Sequence, residues 1–378
     1  MDLKESMLFT LYMLSCIGLL SAQGKPKIIT DEATMSRHYL PDFSFAGYHN
    51  GEKELPTAEG TILLATDFGV VANDGLDDSK NLLKAIDAAN QVTGNVILQL
   101  PAGRVILSEI IYLERSNFVL RGAGTGKMGT EIHFPRPLMY VDDPEDLQEL
   151  RDYLIRFDKR QREKQNNIDL PFSQYAWSGG FIWTRVPGER VKSYLPEYEK
   201  PYNVIAQVTA GKRGTFSFNV KDASALKAGD VAALQIFNKE GEKGDVISQL
   251  YQNQAVKVGS HHWNFPDLPL VTQQVMIESI SNNTITVKSP LTIDIKPEYQ
   301  AQLVEWKHLE EVGIEHFKIT FPDRPRVAHH VEAGNNGICL TRVFNSWVKD
   351  IVIDNADSGI LTEEIANVTI KNITTTGS

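Results

Sequence analysis

The chain has 378 residues and a formal net charge of −10, from 38 Lys and Arg against 48 Asp and Glu. That length leaves room for a large core or for several domains. The acidic balance, without a cluster of Lys or Arg, argues against nucleic acid and against an anionic membrane surface as partners.

Residues 1–22 read as a cleavable signal peptide. Lys4 precedes an apolar run from Met7 to Leu20, and Ser21-Ala22-Gln23 provides small residues for cleavage near Ala22. Cys16 falls in this leader, so Cys339 stands alone in the mature chain and no internal disulfide can form. Cys339 is expected to be a small buried apolar residue. No later apolar run is long enough to span a bilayer. A secreted or periplasmic protein with no membrane span in its mature chain is therefore expected.

Residues 23–58 form an arm with little periodicity, expected to lie extended against the body. Residues 59–134 read as short strands. Ile62–Ala65 is followed by a turn-rich loop from Asp67 to Asp78, then by a helix to about Asn90 with Asp78 as N-cap. Leu82, Leu83, Ile86 and Ala89 share one face of that helix. Val96–Leu100, Val105–Leu107, Ile110–Leu113 and Phe118–Leu120 are further strands, closed by Gly122-Ala123-Gly124. Residues 135–200 break the rhythm: 144–167 has the composition and the Leu147/Leu150/Leu154/Phe157 stripe of an inserted amphipathic helix, and 178–185 reads as a returning strand. Residues 201–298 contain strand-like runs and a hairpin turn at Ser281-Asn282-Asn283, which predict a small antiparallel β insertion. Its loop carries His261-His262-Trp263.

Residues 299–378 hold the organising pattern. Gly337-Ile338 matches Gly359-Ile360, Asn345 matches Asn367, and Lys349-Asp350-Ile351 matches Lys371-Asn372-Ile373, all at an offset of 22 (359 − 337). A constant offset of this size, with β-branched runs and Asn, Asp and Gly at the corners, predicts a parallel β-helix whose coils stack. The leucine ladder of a leucine-rich repeat is lacking. An earlier coil at 314–319 is offset by 34 (348 − 314) from its successor, and the excess lies in a long loop over 322–336. The last coil ends at Thr374–Ser378 without a capping pattern, so further coils are expected beyond it.

The segment DFGVVANDGLDDSKNLLKAIDAA, followed by VILQLPAGRVILSEIIYLERSNFVLRGAG, resembles the opening of the pectate-lyase-like superfamily of the rhamnogalacturonase/epimerase type. The resemblance covers 61–134 and returns over 310–378 in HHVEAGNNGI, NSWVKDIVIDNADSGI and NVTIKNIT. It implies an all-β fold, a right-handed parallel β-helix whose first turns are capped by the short helix. That family includes polysaccharide lyases, glycoside hydrolases and phage tail-spikes, so it implies fold more firmly than reaction.

The loop over 322–336 concentrates chemistry. His329, His330 and Glu332 supply groups for general acid–base work on a sugar, beside Arg324, Arg326, Asn335 and Asn336 as substrate-binding candidates. The competing reading is that they tie the loop to the solenoid. Trp347 offers a ring for stacking a sugar, and Asp354, Asn355 and Asp357 lie nearby, Asp357 as a further catalytic candidate. Paired carboxylates of this kind could hold Ca2+ against a uronate, although Asp and Asn are also the ordinary corner residues of such coils. Lys349 and Lys371 recur at one coil position, as a catalytic base or as a solvated stripe. His261-His262 is a weak sugar-site signal. Asp67, Asp74, Asp77 and Asp78 lack the spacing of an EF-hand and read as structural. No helix of the required kind follows Gly122–Lys127, which argues against a phosphate loop. Together these predict an exported protein that cleaves a polysaccharide in a groove along the solenoid, as lyase or as glycoside hydrolase. The alternative is a non-catalytic glycan-binding or adhesin module.

Overall fold

The computed structural model describes residues 43–57, 59–141, 175, 179–189, 203–238, 246–251, 269–324 and 332–377. The leader, the helix expected over 144–167 and the His261-His262-Trp263 loop lie outside the described residues. Among those described, no helix is long and apolar enough to cross a membrane.

Seven short strands open the fold: β1 (Thr61–Leu64), β2 (Val96–Gln99), β3 (Gly103–Ile106), β4 (Ile111–Leu113), β5 (Phe118–Arg121), β6 (Thr130–His133) and β7 (Ile182–Thr184). Six follow in the middle: β8 (Val204–Gly211), β9 (Ser217–Val220), β10 (Val231–Phe237), β11 (Pro269–Ser281), β12 (Thr284–Val287) and β13 (Gln300–Glu305). The chain closes with β14 (Leu309–Glu310), β15 (Val312–Thr320), β16 (Asn336–Thr341), β17 (Val343–Asp354), β18 (Ser358–Glu363) and β19 (Ala366–Thr375).

The first and last groups stack in parallel as three faces. Face 1 is β1, β2, β5 and the first halves of β15, β17 and β19. Face 2 is β3, β6 and the second halves of the same long strands. Face 3 is β4, β7, β16 and β18. Ile351 pairs with Ile373 and Ile338 with Ile360, each across the 22-residue offset. This is the stacking of a parallel β-helix.

Where β15, β17 and β19 bend from face 1 to face 2, His316, Asp350 and Asn372 sit one above another with φ of 64°, 53° and 54°. Asn117, Glu311, Asn345 and Asn367 make a second left-handed ladder at the entry to face 1. Asn and Asp tolerate this conformation because their short polar side chains bond locally. Inside, Leu98, Leu120, Ile314 and Val348 form one buried column, and Ile132, Ile319 and Ile353 another. At the next corner the rings of Phe134 and Phe181 stack at 4.1 Å.

Helix α1 (Ser79–Asn90) covers the first rung, burying Leu82, Ala85, Ile86 and Ala89 in the core with Val96 and Leu98. Asp78 precedes it, but its carboxylate turns back to accept from the Val71 N–H at 3.1 Å. Asp77 does the capping instead, accepting from the Ser79 N–H at 2.8 Å.

Strands β8–β13 form a closed antiparallel barrel in the order β10-β11-β12-β9-β8-β13, with its own core around Phe218, Leu234, Ile277, Ile285 and Leu303. A short helix, α2 (Val246–Tyr251), lies between β10 and β11. The hairpin at Ser281–Thr284 turns through Asn282 at φ 53°. The sequence suggests that the solenoid resumes near Leu303. In the structure β13 pairs with both β8 and β10 and closes the barrel, so the solenoid resumes at Leu309. Ala233 and Val304 of the barrel pack on Trp306 and on Phe344 of β17.

Candidate functional site

Strand alternation puts Val105, Ile132, Ile319 and Ile353 into the core and leaves their neighbours on the outer surface of face 2. Those neighbours are Arg104 and Ile106 on β3, Glu131 and His133 on β6, Lys318 and Thr320 on β15, and Val352 and Asp354 on β17. All eight are half-buried or exposed. Adjacent strands lie about 4.8 Å apart, so β3 to β17 carries this stripe over roughly 14 Å.

The stripe is tied by hydrogen bonds that cross the rungs. Arg104 Nε lies 3.6 Å from Glu131 Oε1, and the Thr320 hydroxyl donates to the same oxygen at 3.0 Å. His133 Nδ1 lies 2.9 Å from Thr320 Oγ1. Lys318 Nζ meets Asp354 Oδ2 at 2.5 Å, and the Thr376 hydroxyl donates to Asp354 Oδ1 at 3.2 Å. At the bend, His316 Nδ1 is 3.2 Å from Asp350 Oδ2, and Asn372 Nδ2 donates to Asp350 Oδ1 at 2.8 Å. Burial, and then the charge of Arg104, hold the His133 imidazole below its usual value; Glu131 and a contact with the Thr320 backbone oppose them.

The outer surface of face 1 is covered instead. Glu315 is fully enclosed there, accepting from Arg121 Nε at 2.6 Å and Trp347 Nε1 at 2.9 Å, with Lys349 Nζ at 3.1 Å. Burial pushes its carboxyl upward, but the hydrogen bonds from Trp347 and Arg121 and the charge of Lys349 outweigh that and hold it below the usual carboxylate range. The arm crosses this surface. Tyr48 meets the Trp347 ring edge-on at 5.5 Å and donates to Glu311 Oε2 at 2.5 Å, while His49 Nε2 lies 2.7 Å from Glu311 Oε1.

This places the candidates read from the sequence. Trp347 is 3% exposed, its indole lying over Gly313 and beneath Tyr48, so it presents no stacking surface to a sugar. Lys349 is committed to Glu315, which leaves it no freedom as a base. Asp357 Oδ2 accepts from the backbone N–H groups of Gly334 and Asn335 at 3.1 and 2.8 Å and thereby clamps the return of the long loop. Asn336 is buried and donates to the carbonyls of Tyr175 and Gly179. Asn335 is buried too. Arg324 and Glu332 are half-buried at the two ends of that loop, and Arg326, His329 and His330 lie outside the described residues. Asn355 takes φ 62° and donates to the Phe321 carbonyl, the corner role open to it in the sequence. The described residues do not fit a calcium site: Asp354 is taken up by Lys318 and Thr376, Asp357 by two amides, and no group of three or more His, Cys, Asp or Glu is placed to hold a metal. Burial pushes the lone Cys339 thiol up to about 12, so it is not a nucleophile.

The loop adjoins the stripe. It leaves the solenoid just beyond Thr320, and its return leg bonds to the segment beyond His133, where the N–H groups of Leu138 and Met139 donate to Gly334 and Ala333 at 3.0 Å each. Glu131, His133, Lys318 and Thr320 do not stand out in the sequence, because nothing in the chain marks them until β6 is laid against β15. The signal that identifies them is the match between the outward positions of TEIH and FKIT.

No family model matches the chain, and no curated protein matches it. Solved structures do. The tailspike protein gp49 from Pseudomonas phage LKA1 aligns with a TM-score of 0.44 at 13% identity, over 82% of this chain and 42% of that one. The Gp54 tailspike of Acinetobacter baumannii bacteriophage AP22, solved with A. baumannii capsular saccharide, aligns at 0.40 and 11% identity, over 84% and 46%. The Yersinia enterocolitica family 28 exopolygalacturonase aligns at 0.28 and 13% identity, over 83% and 43%. This chain thus spans less than half the length of each.

Proposed function

We propose that this is an exported, carbohydrate-active protein that cleaves an acidic polysaccharide laid across the rungs of face 2 of a right-handed β-helix. The observation that carries this reading is the open stripe of Arg104, Glu131, His133, Lys318, Thr320 and Asp354, a surface of cations, carboxylates and an imidazole on stacked strands. A rigid scaffold of this kind holds such groups in fixed register, which is what a long ligand with a regular repeat requires. The apolar leader over 1–22 is the ground for reading export, and Glu332, with His329 and His330 near it in the sequence, is the further candidate in the loop over 322–336. The test is product analysis on a panel of polyuronates and neutral glycans, with wild type and with Glu332→Ala. Elimination gives an ultraviolet-absorbing unsaturated product, and hydrolysis gives reducing ends alone. Binding without turnover by the wild type would turn the reading into that of a glycan-binding module.

A further inference from the structure

We propose that His308 is held as an imidazolium in the seam between the barrel and the solenoid, that its charge latches the two bodies together, and that the latch is lost as pH rises. The inference concerns the fold and stands apart from the carbohydrate reading above.

His308 lies in the link from β13, which closes the barrel, to β14, where the solenoid resumes. Its ring stacks on the Trp306 indole at 4.5 Å, 14° from parallel, and meets the Phe344 ring of β17 edge-on at 5.6 Å. Trp306 in turn packs with Ala233 and Val304 of the barrel and with Phe344 of the solenoid. The imidazole is thus inserted where the two cores meet.

Its hydrogen bonds assign its charge. Nδ1 lies 2.7 Å from the Trp306 carbonyl oxygen, and Nε2 lies 2.9 Å from Glu310 Oε1. A carbonyl oxygen has no hydrogen to give, so Nδ1 must donate. A hydrogen bond from His308 holds the Glu310 carboxyl below its usual range against burial, and the charges of His308 and His49 add to it. Glu310 is therefore ionised and also accepts only, so Nε2 must donate as well. Both nitrogens donate only in the imidazolium. A cation in that place is further held by the electron-rich face of the indole. Either neutral tautomer turns a lone pair on an oxygen: Nε2 would face Glu310, or Nδ1 would face the Trp306 carbonyl. Loss of the proton breaks one of the two bonds and the cation–π contact together.

The other charged groups around the seam have partners of their own. Glu305 accepts from Asn203, Lys307 and Arg342 both meet Glu189, Arg342 also meets Glu364, and His49 bonds to Glu311.

The experiment follows the whole protein as pH rises. Trp306 emission, taken as the difference between wild type and Trp306→Phe, should be quenched at acid pH by the cation stacked on it and should recover as His308 loses its proton. His308→Gln, with its fold checked by circular dichroism, should abolish that recovery, and His49→Gln should leave it in place. Glu310→Gln, which keeps the shape and removes the charge, should move the transition to lower pH. Proteolysis within 305–311 should quicken over the same pH range in wild type but not in His308→Gln. At the acid end, 15N NMR of the wild type should show both ring N–H hydrogens protected from exchange with water, a readout that needs no variant. Emission that ignores pH, that changes equally in His308→Gln, or ring hydrogens too fast to observe, overturns the charge assignment. A transition in emission with no change in proteolysis overturns the latch.

Discussion

Truncating one isoleucine at two successive rungs tests the stacking on which the site depends. Ile351 is fully buried and pairs with Phe317 on one side and Ile373 on the other. Ile351→Ala removes three carbons, about 2.4 kcal/mol of transfer free energy at about 0.8 kcal/mol each. The enclosed cavity adds to this, for a total of about 3–4 kcal/mol. Ile373 occupies the same position on β19, which among the described residues pairs with β17 alone, and it is only half-buried. The same truncation there forfeits about half the transfer term and closes no cavity, so about 1 kcal/mol is expected. Urea unfolding, followed on the solenoid transition, reads the difference. With a slope of about 3 kcal/mol per molar, Ile351→Ala should lower the midpoint by about 1 M and Ile373→Ala by about a third of that. The barrel has its own core and can unfold separately, so the solenoid transition must be resolved first. Equal costs at the two positions would refute the difference in burial between Ile351 and Ile373.

Three further outcomes follow from the geometry. Glu315→Ala strands Arg121 and Lys349 beneath the arm and should cost about 3–5 kcal/mol in urea unfolding, whereas a loss under 1 kcal/mol would show the cluster to be solvated. Because Glu315 has a folded pKa below its ordinary 4.5, the unfolded chain takes up the proton first as pH falls. The stability this group provides is complete above 4.5 and is lost as pH drops through the lower folded value, so Glu315→Gln should flatten that acid slope, and an unchanged slope would exclude Glu315 as its source. Asp357→Ala removes the acceptor for two loop amides and should cost about 1–3 kcal/mol while speeding proteolysis within 322–335; an unchanged cleavage rate would show the clamp to be dispensable.

The solenoid was legible wherever consecutive rungs run on without interruption. Ile351 and Ile373 are 22 residues apart with only a short corner between, so the repeat is visible in the letters alone. The stripe was not legible, because His133 and Thr320 are 187 residues apart in the chain and the barrel lies between their rungs. No periodicity survives such a gap; only strand pairing brings them together. Trp347 misled for another reason. Its position on an outward row is consistent with a stacking surface, but whether an outward residue meets solvent depends on what crosses it, and the arm at Gly47–Pro56 has no pattern that announces where it lies. Leu303 was assigned to the wrong body because a strand closing an antiparallel barrel alternates in the same way as a solenoid strand.

The two outer surfaces are built from the same strands and differ only in what covers them. On β15, Glu315 and Lys318 both stand outside the core, with a left-handed residue, His316, between them. A non-glycine residue in that conformation costs on the order of 1 kcal/mol, repeated here at Asp350 and Asn372. The bonds from His316 and Asn372 to Asp350 offset part of that cost and hold the bend at one place in these three rungs. The bend therefore divides each long strand into a half that anchors the arm and a half that the described part of the arm leaves uncovered. Binding groups on the anchored half would have to compete with Tyr48, His49 and Pro56 for their partners. Those on the second half, Lys318, Thr320 and Asp354, are engaged among the described residues by one another and by Glu131, His133 and Thr376, and that is the ground for proposing face 2 as the site.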